Sequence, residues 1–427
     1  MIIDFTISNF RSIKDEQTFS LYAENVGSYL TENVCYPAND KIGVLKSAGI
    51  YGANASGKSN LLRAFQELSL LVSNSSDLKE YDAIAHEPFL LSEDTKSRPT
   101  FFEIEFILFG LRYKYTVSFT RKLIEQESLI FYPSSQPATI FKRVKNDTWD
   151  TIKFGSLYKG GKKRFPLFVN NLYLSKAGNS ADAPKMIRDV YNYFRNKLSY
   201  IATNEHLFEW EDFFINSELK EKISKLLFSV DTGISKVSII AKTLNDIELP
   251  DDIPEDISTA VLGYDIAFSH STDSGNAVSF DIEKESEGTQ KLFRLAPWFL
   301  FALDNGGVIV IDELDSSMHP FMAELIIKLF NDPRVNKGNA QLIFSTHNIN
   351  LMSPELLRRD QIWFTEKNDG ATTCYSLDDF DKKKVKPQSP FNLWYAEGRF
   401  GAVPAIDYEG VVALFEHKEQ HDAQKAQ

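Results

Sequence analysis

Polar and apolar residues alternate along residues 2–8 (Ile-Ile-Asp-Phe-Thr-Ile-Ser), which predicts a strand, and Phe10-Arg11-Ser12-Ile13 follows as a turn. Residues 46–51 predict a second strand that runs into a glycine-rich loop. The period then changes: Leu61, Leu62, Phe65 and Leu68 recur at helical spacing within 60–72. Residues 101–108 and 112–119 predict a hairpin around Gly110, and 129–141 with 148–154 continue it as a β-rich arm. From about residue 181 the pattern turns helical. Residues 183–198 and 209–230 carry it, the latter with Phe213, Phe214, Leu219, Ile223, Leu226 and Leu227 on one side and Gly233 as a stop. Residues 246–258, acidic and holding two prolines, read as a loop, and 278–282 as a short strand. A helix is predicted over 290–303. Residues 308–311 and 341–345 are short apolar runs of the kind buried on both faces of a parallel sheet. Residues 416–427 are polar and predicted to fray. The pattern holds no internal repeat.

These elements imply an α/β fold with a mixed, mostly parallel sheet. Three regions follow. Residues 1–180 hold the glycine-rich loop and the β-rich arm, 181–260 form a helical insertion, and 261–427 complete the core. The 427 residues, 43% of them hydrophobic, suffice for a sizeable core and two or three structural units.

Charge changes the picture little. A net charge of −12 is not the basic footprint of a dedicated nucleic-acid binder, although a local basic groove remains compatible with it. Cys35 and Cys374 make neither a disulfide framework nor a zinc site, which fits a reducing cytoplasm. The first residues lack a basic n-region, so no signal peptide is expected. The most apolar run, 296–303, is too short to span a bilayer and contains Pro297. A cytoplasmic protein without a membrane partner is the expectation.

The candidate chemistry lies in four separated stretches. Gly52-Ala53-Asn54-Ala55-Ser56-Gly57-Lys58-Ser59 fits the phosphate-loop pattern without mismatch. Its glycines let backbone N–H groups wrap a phosphate at a helix N-terminus. Lys58 is then expected to reach the β- and γ-phosphates of ATP, and the Ser59 hydroxyl to bind Mg²⁺. The strand at 308–311 ends in Asp312-Glu313. Asp312 is the candidate support for the Mg²⁺ shell, and Glu313 the candidate base for the attacking water. Ser345-Thr346-His347 ends the next strand, where His347 would sense the γ-phosphate. Ser286-Glu287-Gly288 opens the 290–303 helix and forms a second phosphate-binding N-terminus. The phosphate loop already has its own helix, so Ser286 and Gly288 are free for the γ-phosphate of a second copy. Asp315 fits a loop along such an interface; His319 is expected to be structural. The four motifs in this order predict an ATP site shared between two subunits.

With these residues in view, the chain resembles the AAA/ABC-type ATPases of the broad group that includes the SMC and RecF proteins. More narrowly, it is similar to the stand-alone AAA-family ATP-binding proteins of bacterial abortive-infection and anti-phage operons. The likeness spans most of the chain. It includes Asn9-Phe10-Arg11-Ser12, the phosphate loop through Asn60, Glu285-Ser286-Glu287-Gly288-Thr289, Ile311-Asp312-Glu313-Leu314, Ser345-Thr346-His347 and Gly398-Arg399-Phe400-Gly401-Ala402-Val403-Pro404. It implies an ABC-type P-loop core and ATP hydrolysis with Mg²⁺. It also implies a nucleotide contact for Arg11 and for Asn54 and Asn60, and a homodimer or higher homo-oligomer closed through the ATP site. Two biological roles are compatible with it. One is a regulator or scaffold for a separate toxin or nuclease effector; the other is a DNA-maintenance clamp on duplex DNA.

The stretch between Ser59 and Ser286 is long but lacks sustained heptads, so it is not an SMC coiled coil. No acidic constellation after His347 suggests a fused nuclease. Basic clusters at Lys159-Gly160-Gly161-Lys162-Lys163-Arg164 and Lys382-Lys383-Lys384-Val385-Lys386 are expected to be solvated loops. If DNA or RNA is bound, the first is the candidate phosphate contact. Trp394 and Tyr395 are expected to pack, and the insertion and the 398–404 tail to face a partner.

Overall fold

The computed structural model describes residues 1–24, 29–38, 42–202, 217–230, 232–243 and 261–415. Strand β1 (Ile2–Ser8) pairs with β2 (Gln17–Ser20). A short ribbon, β3 (Val34–Cys35) and β4 (Val44–Leu45), precedes β5 (Ser47–Tyr51). Helix α1 (Lys58–Asn74) follows, then the single turn α2 (Glu93–Lys96). Next come β6 (Thr100–Leu108), β7 (Leu111–Phe119), β8 (Ile124–Tyr132), β9 (Ala138–Val144) and β10 (Lys153–Phe154). After them stand α3 (Tyr173–Gly178), α4 (Lys185–Lys197) and β11 (Leu198–Ile201). The chain continues through α5 (Ser217–Ser229), β12 (Ile234–Thr243), β13 (Val261–Ser271) and β14 (Ala277–Asp281). It ends with α6 (Glu287–Asn305), β15 (Val308–Ile311), α7 (Pro320–Asn331), β16 (Gln341–Ser345), β17 (Ile362–Asn368), β18 (Ala371–Ser376) and α8 (Phe391–Ala396).

The central sheet has the order β11-β15-β16-β5-β17-β18 and is parallel except for β18. Its inner strands β15, β16 and β5 are buried on both faces, and successive residues feed two different cores. Ala48, Ile50, Val308, Val310 and Ile343 face one core, with α1, α3, α4 and the strands β1 and β6–β8. Ile309, Ile311, Leu342, Phe344, Ile362 and Phe364 face the other, with α6 and α7. Leu61, Leu62, Phe65, Leu68 and Val72 of α1 are fully buried. Their burial contributes on the order of 10 kcal/mol in gross transfer free energy, which fixes the start of α1 beneath the glycine-rich loop.

Two expectations change here. The β-rich arm is not an arm. With β1 and β2 it forms a seven-stranded antiparallel sheet, β10-β9-β8-β7-β6-β1-β2, that shares a core with α1. Gln341 clasps this layer to the central sheet: its side-chain amide donates to Ile2 O and Leu45 O, both at 2.9 Å. Residues 181–260 also fail to form one helical insertion. Helix α4 packs on α1, and β11 is the edge strand of the central sheet, in register with β15 from Leu198↔Val308 to Ile201↔Ile311. The strand hides because no glycine or proline separates it from α4. Beyond it, α5 is accompanied by a three-stranded antiparallel sheet, β12-β13-β14. The start of the helix expected over 209–230, the 246–258 loop and the 416–427 tail lie outside the described residues.

Candidate functional site

The loop between β5 and α1 is built by exclusion. Gly57 caps α1 at φ +111°, and a Cβ there would lie 2.1 Å from Thr372 Oγ1. Gly52 is hemmed in likewise, 2.5 Å from Thr365 O. Both threonines belong to the β17–β18 hairpin. Thr365 Oγ1 meets Ser56 Oγ at 2.6 Å, and Thr372 Oγ1 donates to Ser56 O at 2.8 Å. The loop therefore wraps a concave path that only glycine permits at its two ends. Asn54 stands exposed at its tip, and Ser59 is half-buried in the first turn of α1. The Lys58 ammonium folds back onto the loop, donating to Gly52 O at 2.9 Å and Ala53 O at 3.1 Å. Burial pulls its pKa down, while the charges of Asp312, Glu313 and Asp315 oppose that shift.

A single hydroxyl organises the acids. Ser345 Oγ donates to Asp312 Oδ1 at 2.6 Å and accepts from Glu313 N at 2.8 Å. Glu313 takes a φ of +52°, uncommon for a residue with a Cβ. Beside it, Thr346 Oγ1 donates to Asp315 Oδ1 at 2.5 Å. His347 is exposed at the end of the same strand. Burial lowers its pKa, the Lys58 charge lowers it further, and the three carboxylates resist. The shift favours the neutral ring, which can donate from one nitrogen and accept at the other. The fold gathers Lys58, Asp312, Glu313 and His347, read from three separate motifs, into one electrostatic neighbourhood.

Ser286 and Gly288 are placed differently. Ser286 caps α6, its Oγ accepting from Thr289 N at 3.2 Å, and it is exposed. A Cβ on Gly288 would lie 2.8 Å from Ser317 O. Among the described residues no hydrogen bond joins either one to the phosphate loop. His319 caps α7 through Nδ1, as a structural residue would.

Asn60 and Arg11 line a side pocket. Asn60 Nδ2 donates to Ser12 Oγ at 2.7 Å, so it ties α1 to the first turn. Arg11, at φ +51°, is ion-paired with Glu87. Both border a pocket of about 580 Å³ with Leu90, Leu91 and Lys367. Two turns along α1 from Asn60, the Glu67 carboxyl is pushed up to about 7, first by burial and then by Glu87, with Arg11 opposing. An unshifted glutamate titrates at 4.5. Below that value Glu67 is protonated whether folded or not and costs nothing. Stability attributable to it falls as pH rises from 4.5 to about 7, and above pH 7 the full penalty, about 3 kcal/mol, is present. Glu67→Gln is expected to stabilise the protein by about 2 to 3 kcal/mol at pH 8 and hardly at all at pH 4.5. Urea denaturation at the two pH values checks this; equal gains at both would contradict it.

The residues missed by sequence are informative. Ser345 and Thr346 stood inside a recognised motif, but their bonding depends on neighbouring strands. Thr365 and Thr372 lie on ordinary strand positions and carry no local signal. Lys291, in α6, donates to Glu313 O at 2.8 Å and Ser316 O at 2.9 Å. Burial lowers its pKa to about 8 against the pull of Asp315, Glu313 and Asp312. The basic loops were read as solvated. Lys162, Lys163 and Arg164 lie over the rings of Phe165, Tyr158 and Phe154, and Lys382 pairs with Asp378 and Glu24. Tyr395 packs as expected, stacked on Phe364 with its hydroxyl donating to Ala402 O. The tail is mixed: Gly398 and Arg399 are exposed, Phe400 and Ala402 are buried, and the chain is exposed again from Val403.

The family model described as "AAA domain, putative AbiEii toxin, Type IV TA system" matches residues 47–353, from the strand before the phosphate loop to just past His347. The chain belongs to that family. Its α/β fold, with the parallel central sheet, is accordingly that of an AAA domain. No curated protein matches the chain. Among solved structures it is similar to the SMC head domain from Thermotoga maritima, with 13% identity and a TM-score of 0.40 over 88% of this chain and 98% of that one. A second similar structure is an SmcHead bound to the C-winged helix domain of ScpA, with 14% identity and a TM-score of 0.46 over 90% and 99%. Among the described residues no helix is long and apolar enough to cross a membrane.

Proposed function

We propose that this family member hydrolyses ATP at a site shared by two copies of the chain, and that the resulting opening and closing regulates a separate effector. The observation that carries the first part is the convergence of Lys58, Asp312, Glu313 and His347 on one glycine-built loop. Their neighbourhood suits a triphosphate. The Lys58 ammonium, turned onto loop carbonyls, is free to exchange them for phosphate oxygens. Ser59 and Asp312 would hold Mg²⁺, which when bound supplies charge neutralisation on the phosphates. Ser345 orients the Asp312 carboxylate and, through Glu313 N, the backbone of the base. Glu313 accepts a proton from the attacking water, and neutral His347 donates a hydrogen bond to the terminal phosphate. The pocket beside Arg11 lies along α1 from the loop and suits the nucleoside end.

Lys58→Ala is the direct test. It is expected to weaken nucleotide binding by at least about tenfold and to abolish turnover. Normal affinity and turnover in that variant would sink the assignment of the loop.

The regulatory part is supported by the toxin system in the family's description. The surface from Val403 onward and the region around β12–β14 are the candidate contacts for an effector. The gene is to be expressed with and without its neighbours and the cells challenged with phage. Protection that needs a neighbour supports this reading. Full protection by this chain alone refutes it, and so does ATP-dependent gripping of duplex DNA by the pure protein.

A further inference from the structure

We propose that Lys291 is a positioning residue for hydrolysis, a strut that locks Glu313 and the loop after it to the helix that begins at Ser286. The inference rests on the ATPase reading above and deepens it. The strut itself is seen in the geometry. The first turns of α6 grip residues 313–317 at three points. Glu287 Oε2 accepts from Ser317 Oγ at 3.2 Å. Gly288 leaves space for Ser317 O, which a Cβ would meet at 2.8 Å. One turn on, the Lys291 ammonium donates to Glu313 O and Ser316 O. All three lie on one side of the helix.

The gripped segment needs holding. Glu313 and Ser317 sit at φ +52° and +58°, a region that residues with a Cβ leave unless their surroundings fix them. Ser345 fixes the N–H side of Glu313 and Lys291 fixes its carbonyl. The peptide is therefore clamped from both ends, which sets where the carboxylate points. A charged donor makes this clamp stronger than an amide would. The clamp also has a direction. Ser286 and Gly288 are the proposed contacts for the partner's nucleotide. A movement of α6 on closure is passed through Lys291 to the backbone of the base, so that water activation follows closure.

Such a residue governs kcat rather than binding. In the full-length protein, Lys291→Met keeps the apolar stem and removes the ammonium, whereas Lys291→Arg keeps a charged donor. Lys291→Met is expected to lower kcat about ten- to a hundredfold with KM for ATP–Mg²⁺ changed less than about twofold. Lys291→Arg should recover much of the loss. Amide hydrogen exchange without nucleotide should quicken in the 312–318 segment and stay unchanged in the phosphate loop. Parent kcat in Lys291→Met overturns the proposal. So does a loss spread over KM and kcat, or faster exchange throughout α6 and the phosphate loop, which would mark general loosening. If Lys291→Met does not fold, Lys291→Gln takes its place in the same comparison. If the parent protein does not turn over ATP, the ATPase reading fails and hydrogen exchange alone decides for or against the strut.

Discussion

Glu313→Gln is expected to leave a protein that binds ATP as the parent does but turns it over about a hundred to ten thousand times more slowly. The glutamine amide matches the glutamate in shape and can still hold a water, but it cannot accept its proton. The substitution leaves the backbone arrangement alone. The Glu313 N–H still reaches Ser345 Oγ, and its carbonyl still receives Lys291. The loss therefore reports chemistry rather than folding. With hydrolysis blocked, ATP should accumulate on the protein, and the ATP-bound form should sediment as a dimer or larger species. Single-turnover assays and sedimentation with ATP–Mg²⁺ check both statements. Turnover at the parent's rate would move the role of base to another residue, with His347 next in line by position.

Legibility in the sequence followed how local the signal was. The phosphate loop could be read because one pattern states everything its geometry needs: glycines at both ends, a lysine, a hydroxyl and a helix start. Asp312 and Glu313 were legible because a run of Val and Ile with no polar residue marks a strand buried on both faces, and its end is where side chains emerge. What stayed hidden is held by contacts between distant segments. Thr365 and Thr372 wall the loop only because β17 lies beside β5 and β18 beside β17. Lys291 reads as an ordinary lysine on an amphipathic helix until Glu313 turns its carbonyl toward it. The same cause explains the arm that proved to be a layer. Alternation shows that 101–154 is β-structure but not that β1 pairs with β6 and draws the whole sheet over α1. Strand β11 was missed because a four-residue strand directly after a helix leaves too short a run to display its own period.

A second large effect is expected at Gly288, and it tests whether the site is shared. Among the described residues no hydrogen bond ties Gly288 to the phosphate loop of its own protomer: its close neighbour is Ser317 O, and the exposed cap of α6 beside it contacts Thr289. Gly288→Asp puts a Cβ where 2.8 Å is available and a negative charge where a partner's phosphate would arrive. ATP affinity should change by less than about threefold, because the phosphate loop is untouched. Turnover should fall on the order of a hundredfold or more, as for removal of donors that act on developing charge. Crowding of Ser317 by itself would disturb the 313–317 segment in the same chain, and Gly288→Ala separates the two effects, since it adds the Cβ without the charge. Mixing decides the question. A heterodimer of Gly288→Asp with Lys58→Ala has one site in which both substitutions meet and one in which neither does. In a shared site, mixing the two inactive proteins restores turnover, up to one intact site per heterodimer. If each protomer works alone, the mixture stays as inactive as its parts, and the specific activity of the parent protein does not depend on concentration.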